Sequence, residues 1–357
     1  MDRLLALGYE VRILDTLDPR VHPRGLPSYV PRRAEFVRGD AADRADLDRA
    51  LAGVEVVFHQ AAYQDYMPDY SRFFTTNVGS TALLYELIQE HGYPVRKVIV
   101  ASSQAVYGEG QYLCPEHGVV QPPARPAEQM ARGEWEIACP TCGAPMTPHR
   151  LEEIYANPYN PYALSKYSEE LVALRLGRRI GVPTVALRYS ITQGARQSLY
   201  NQYSGVCRIF TLRLLSGEPP IVFEDGRQER DYVHVDDVVD ANLLVLSKEE
   251  ADGEAFNVGG DRAVTVLDYA RALAERIGKR IAPSLNGEYR VGDNRHSVSS
   301  VEKLRRLGWR PKKGLSEILD DYLGWVRSLG EIDPALFAAA DRAMRDKAII
   351  RRAKAGG

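Results

Sequence analysis

The stretch Val98-Ile99-Val100-Ala101-Ser102-Ser103 limits the fold more than any other part of the chain. Four apolar residues in a row, with no polar alternation, suit a strand covered on both faces, as inside a parallel sheet. Parallel strands need crossover connections, so the expected architecture is α/β, a doubly wound parallel sheet with helices on both faces. The run ends in two hydroxyls and then a turn over 104–108. Ligands of such sheets lie beyond the carboxyl ends of the strands, which aims Ser102 and Ser103 at a site.

A second stretch, Asn160-Pro161-Tyr162-Ala163-Leu164-Ser165-Lys166, opens an amphipathic run from Ser165 to Ile180 that reads as a helix. Residues four apart share a helix face, so the Lys166 ammonium can sit near the Tyr162 phenol. At about 4 Å and an effective dielectric near 20, that cation favours the phenolate by roughly 4 kcal/mol before desolvation. Tyr162 is therefore expected to serve as an acid/base near neutral pH. Taken alone, the pair reads equally well as an exposed Tyr and Lys at a helix start. The hydroxyl-tipped strand is what turns it toward chemistry.

With 357 residues the chain can bury a large core in one or two domains, and a net charge of -2 argues against a nucleic-acid partner. No run of eighteen apolar residues exists, so no membrane partner is expected, and Met1 to Gly8 lacks the flanks and apolar core of a signal peptide. Of the four cysteines only Cys207 stands outside a ligand-like pattern, usage that suits a reducing cytosol and a cytoplasmic protein. The patterned ones lie in a segment poor in apolar periodicity, 109–156. It holds Cys114-Pro115-Glu116-His117-Gly118 and Cys139-Pro140-Thr141-Cys142-Gly143, each a ligand, two residues, a ligand and a glycine. Three sulfurs and one imidazole suit tetrahedral zinc with no open position, so Cys114, His117, Cys139 and Cys142 are expected to hold a structural Zn. Vestigial or redox cysteines are the competing reading.

A strand-end Ser, a helix-start Tyr and its Lys, in this order, resemble the triad of the short-chain dehydrogenase/reductase superfamily. The chain is similar to its extended branch, the NAD-dependent nucleotide-sugar epimerases and dehydratases, from the first residues to about Pro311. The resemblance implies a Rossmann-like domain over 1–190 carrying the zinc-ribbon-like insertion 109–156, and a smaller substrate domain over 191–330. Within the latter, 232–260 is expected to return to the sheet, and 331–357 to form a basic amphipathic helical tail. It implies a catalytic set of Ser103, Tyr162 and Lys166 and NAD as cofactor. Asp15 would hold the ribose hydroxyls, and Asp40 and Ala41 the adenine. Gln60, Ala61 and Ala62 let the cofactor approach closely, and Asn77, Tyr189, Tyr162 and Lys166 lie near it. On the substrate side it implies Gln104, Arg230 as a diphosphate clamp, and Arg290 and Asp293 at diphosphate and ribose, with a homodimer as the assembly. His59, at a strand end, is expected to pack under a loop. The segment 304–311 is expected to close the small domain.

Two departures narrow the chemistry. Sugar 4,6-dehydratases carry an Asp-Glu pair after the triad serine to eliminate water, whereas this chain has Gln104-Ala105. The substrate-facing Asn of common UDP-hexose epimerases is replaced by Ile191. A 4-epimerase acting through a 4-keto sugar is expected, with a 4-reductase open beside it. The zinc-like insertion and Ser190-Ile191-Thr192-Gln193-Gly194 resemble dTDP-L-rhamnose 4-epimerase-type proteins, which puts dTDP-L-rhamnose first among substrates.

Counting back about 20 residues from Asp15 puts the glycine-rich phosphate loop of such folds before residue 1. The first strand and its loop are therefore expected to be missing, through a misplaced start codon, a partial sequence or a genuine truncation. The short chain is expected to bind NAD poorly and to present apolar edges at Val11–Ile13 and Val56–Phe58. A non-catalytic scaffold is the alternative that follows from that loss.

Overall fold

The computed structural model describes residues 1–65, 68–201, 205–330, 345 and 349–353. Its centre is a four-stranded parallel sheet in the order Ala255–Val258, Thr184–Tyr189, Lys97–Ser103, Val56–His59. The continuous apolar run behaves as its pattern requires, because residues 97–102 are all buried. One face packs on helices Arg44–Leu51, Ser80–His91 and Pro161–Ile180 through Leu47, Leu84, Leu87, Ile88 and Ala173. The other packs on helix Val235–Ser247 through Val238, Ala241 and Val245. Leu304 and Trp309 join this second core, and the Trp309 indole donates to Asp237 O at 3.0 Å. The 304–311 segment thus closes the main sheet and not the small domain, since Leu304 and Trp309 belong to the same core as the sheet residues Phe256 and Val185.

Arg12–Asp15 and Glu35–Arg38 pair in parallel as a separate two-stranded sheet, with Asp15 opposite Arg38. Val11, Ile13, Val56 and Phe58 are half-buried and not bare. Leu4, from the short helix Asp2–Ala6, packs with Val56 and Phe58 against the second core. A third core, made by helices Gly205–Leu215, Val266–Ile277 and Leu315–Ser328, contains Phe210, Tyr269, Leu273, Ile318 and Tyr322. Among the described residues no helix is long and apolar enough to cross a membrane.

Local chemistry sets the elements that matter for function. Helix Pro161–Ile180 begins four residues earlier than the apolar pattern suggests, because Asn160 caps it by accepting from Ala163 N at 2.8 Å and Pro161 fits its first turn. Tyr162 therefore lies inside the helix. Helix Tyr70–Phe73 passes through a π-helical turn, Phe74–Gly79, before helix Ser80–His91. Gly108 closes the turn after the 97–103 strand at φ +62°, where a Cβ would lie 2.1 Å from Asn157 O.

The insertion forms a three-stranded antiparallel sheet, Gln111–Cys114 between Gly118–Val120 and Thr147–His149, with one short helix, Ala127–Ala131. Most of the expected tail helix, 331–344, 346–348 and 354–357, lies outside the described residues. Arg345 is helical, but the end of the described tail differs from the expectation. Ile350–Arg352 is a strand antiparallel to Glu288–Arg290, a pairing that a β-branched residue favours over an isolated helix end.

Candidate active site

Ser103 ends the central strand and caps the short 3-10 turn Gln104–Tyr107, its hydroxyl accepting from Ala105 N at 3.1 Å. The same hydroxyl is hydrogen-bonded to the Tyr162 phenol. Because side chains alternate along a strand, Ser102 points the other way, and its hydroxyl donates to Glu170 Oε2 at 2.7 Å. Glu170 is in turn ion-paired with Arg188 at 2.6 Å, and Arg188 also donates to the Tyr107 hydroxyl at 2.9 Å. The two serines thus divide, Ser103 toward the cleft and Ser102 into a buried floor.

Lys166, 2% exposed, follows Tyr162 by one helical turn. Its ammonium lies 2.5 Å from Glu169 Oε2 as a charge contact, yet makes no well-directed hydrogen bond among the described residues. Glu169 is fully buried, and burial pushes its carboxyl up to about 7 against the pull of Lys166. Tyr162 differs from the expectation in net direction. Desolvation raises its pKa, while the Lys166 charge and the Ser103 hydrogen bond lower it and Glu169 raises it again. The lysine pulls the pKa down as its charge requires, but desolvation outweighs it. Glu169 was not found from sequence; its only signal was an acid three residues after Lys166, on the same helix face.

Ser103, Tyr162 and Lys166 border a cleft of about 640 Å³, together with Gln60, Ala62, Gln104, Tyr189, Ile191, Arg230, Arg290 and Asp293. Gln60 and Asn242 both bond the Tyr189 hydroxyl, at 3.3 and 2.9 Å. Asp293 is the only carboxylate among the described residues of this lining. The remaining expected cofactor residues lie outside it. Asp15 is half-buried at a strand end and accepts from Leu17 N at 2.7 Å. Asp40 is exposed and accepts from Ala42 N at 2.9 Å, Ala41 is buried, and Ala61 half-buried. Asn77 is wholly enclosed; its amide bonds Tyr63 N at 2.6 Å, Tyr63 O at 3.1 Å and Ser165 Oγ at 2.8 Å. It joins the 61–63 loop to the start of the tyrosine helix. His59, the last residue of its strand, is buried against Ser80 Oγ at 3.1 Å, and burial beside Lys166 lowers its pKa to about 4.

On the far side of the cleft Arg230 does not stand open as a clamp. It donates to Arg295 O and Asn294 O, each at 2.9 Å, and so holds the 294–295 backbone. Arg290 and Asp293 face each other at 3.3 Å, and the Ser297 hydroxyl donates to Gln104 Oε1 at 3.1 Å.

The model of the NAD dependent epimerase/dehydratase family matches residues 1–131 and 140–259. The chain belongs to this family. It is 30% identical to a dTDP-L-rhamnose 4-epimerase of Burkholderia thailandensis, over 91% of this chain and 90% of the relative. It is also 30% identical to a putative UDP-glucose 4-epimerase of Methanocaldococcus jannaschii, over 92% and 94%. Among solved structures, the UDP-glucose 4-epimerase of Thermotoga maritima with UDP-glucose superposes with a TM-score of 0.73 at 31% identity, covering 92% and 94%. The Thermus thermophilus UDP-glucose 4-epimerase in complex with NAD gives 0.72 at 29% identity, covering 93% and 94%.

The family match breaks at 132–139, inside the insertion. There the two knuckles converge: one ligand atom from each of Cys114, His117, Cys139 and Cys142 lies within 4.8 Å of all the others. Cys114 Sγ is 3.6 Å from Cys142 Sγ and 3.5 Å from His117 Nδ1, and Cys139 Sγ is 3.7 Å from that nitrogen. A disulfide needs about 2.05 Å between sulfurs. With metal–sulfur bonds of about 2.3 Å and metal–nitrogen bonds of about 2.0 Å, the edges of a tetrahedron come to roughly 3.5–3.8 Å. These three distances match such edges, and the donor set is of a kind that suits zinc.

Proposed function

We propose that the chain is an NAD-dependent nucleotide-sugar 4-epimerase, an isomerase, with dTDP-L-rhamnose the first substrate to test. The observation that carries this reading is the Ser103–Tyr162–Lys166 set beside a cleft with no carboxylate next to Ser103. An epimerase needs only a proton carrier and a hydride carrier at C4. A dehydratase needs an acid there as well, and Gln104 and Ala105 supply none.

The residues present fit the nicotinamide half of NAD, because the Lys166 ammonium is buried at the cleft with donor capacity left over. Lys166, Tyr162, Tyr189, Gln60 and Ala62 would surround that half, with Asn77 fixing the 61–63 loop behind them, and Asp15, Asp40 and Ala41 would hold the adenosine. Bound NAD supplies the hydride acceptor and, on return, the donor. Tyr162 takes the proton of the sugar 4-hydroxyl as C4 is oxidised and gives it back after the 4-keto sugar has turned over. Ser103 holds the reacting oxygen, and Lys166 steadies the phenolate. Arg290, Asp293 and Gln104 bind the nucleoside diphosphate and sugar, and Arg230 holds the loop on which Arg290 and Asp293 stand. The test is to follow C4 inversion of dTDP- and UDP-sugars by NMR; a purified protein that inverts none of them overturns the reading.

Glu169 gives a sharper prediction. Its charge raises the Tyr162 pKa, so Glu169→Gln should lower it and move the acid limb of the kcat/KM profile to lower pH. An unmoved limb, or one moved upward, would count against the coupling. The linked effect on stability has a defined sign. A carboxyl that titrates near 7 when folded and 4.5 when unfolded binds its proton more tightly in the native state. Its contribution is complete below the unfolded value and is lost as pH rises toward 7, a loss the Gln variant should lack.

Cys114, His117, Cys139 and Cys142 are proposed to hold one structural zinc per chain. Metal analysis of protein purified without added zinc should find near one equivalent. Less than about a tenth, with freely titratable thiols, would leave the knuckles empty.

A further inference from the structure

The insertion reaches the cleft. We propose that the Cys/His module is the outer wall of the nucleotide site, fixing the 289–297 loop so that metal occupancy sets affinity for a nucleoside diphosphate. The proposal rests on the metal and nucleotide-sugar readings above.

Both knuckles grow out of residues that grip this loop. Glu109 stands five residues before Cys114, and its Oε1 accepts from Arg295 N at 2.5 Å. Glu136 stands three residues before Cys139, and its Oε1 accepts from Arg295 Nη2 at 2.5 Å while Oε2 lies 3.6 Å from His296. Arg295 is fully buried, and its guanidinium continues to Glu224 at 2.9 Å and Asp225 at 2.7 Å in the substrate domain. Arg125, also from the insertion, donates to both Glu224 oxygens, at 2.9 and 3.0 Å, and to Asp293 O at 2.8 Å. Just past the insertion, the Tyr159 hydroxyl donates to Gly292 O at 2.8 Å. The fit is close: Gly110 lies where a Cβ would meet His296 O at 2.9 Å.

Arg230 holds the same loop from the opposite side. The loop residues Arg290, Gly292, Asp293, Asn294 and Ser297 are therefore clamped between two bodies, and all five border the cleft. One body, the substrate domain, has a large core of its own. The other has strands of three or four residues and one helix of five, with little apolar cover beyond Tyr112, Met130, Ile137 and Leu151. A unit of this size does not hold its shape by burial alone and relies on a staple such as a metal. Its loss frees Glu109, Glu136 and Arg125 from their places, and the loop loses one jaw while Ser103, Tyr162 and Lys166 keep theirs.

The test uses the full chain, zinc-loaded wild type against Cys142→Ser and Glu136→Gln, with dTDP titrated calorimetrically and zinc measured on each. Cys142→Ser should lose zinc and weaken dTDP binding by about tenfold, with far-UV dichroism of the main fold retained. Glu136→Gln should keep its zinc and still weaken dTDP binding, because it cuts the strut and spares the staple. In turnover both should act on KM rather than kcat. Wild-type protein without zinc sinks the metal reading and this proposal with it. Wild-type protein that carries zinc but binds neither dTDP nor UDP sinks the nucleotide-sugar reading. Zinc-loaded, dTDP-binding protein whose affinity neither substitution changes overturns this proposal alone.

Discussion

Tyr162→Phe should cut turnover by about a thousandfold, within the range general acid–base groups supply, while leaving the fold intact. The substitution removes one hydroxyl, the group that bonds Ser103 and carries the substrate proton. The ring remains to pack edge-on against Phe73, 6.5 Å away between centroids, so the helix start keeps its contact. Nucleotide binding should therefore persist while inversion at C4 stops. A variant that retains more than about a tenth of parental kcat, with unchanged thermal unfolding, would remove Tyr162 from the reaction.

The largest effect on stability should come from beneath the site. Glu170→Ala leaves the Arg188 guanidinium, 3% exposed, with the Tyr107 hydroxyl and Glu153 O as partners but without its ion-paired carboxylate, and strips Ser102 of its acceptor. Breaking a buried pair in this way costs about 3–5 kcal/mol, because an uncompensated charge stays inside. Urea unfolding of the variant should show that loss. Replacing both partners, as Arg188→Met with Glu170→Leu, should cost less than either single change. A single-variant loss under about 1 kcal/mol would mean that water or another group already compensates Arg188.

Features that depend on near neighbours could be read from the sequence. The 97–103 strand shows in its unbroken apolar run at 98–101, the body of the tyrosine helix in its period though not its capped start, and the knuckles in their glycine-closed spacing. The four metal-type ligands come together because each knuckle is local and only one long-range pairing is needed. What could not be read depends on who lies opposite. Glu169 sits on a helix where acids usually face water, and only the tertiary fold buries it against Lys166. Arg230 falls at a position that suggests a phosphate clamp, but its partners are carbonyls some 65 residues away in the chain. The grip of the insertion on Arg295 joins residues separated by as many as 186 positions, beyond any periodicity. Ile350–Arg352 follows a basic, helix-like run, and its strand exists only because Glu288–Arg290 offers an edge.

The π-helical turn at Phe74–Gly79 has a consequence of counting. Such a turn holds one residue more than a regular helix would over the same rise, and each residue advances the side chains by about 100°. Shortening 74–79 by one would let Tyr70 to His91 run as a smoother helix with better backbone geometry. It would also swing Asn77 away from Ser165 and from the 61–63 loop, unfastening the tyrosine helix from the rim of the cleft. Local regularity and the alignment of the site therefore ask for different chain lengths, and the length present is the one that serves alignment.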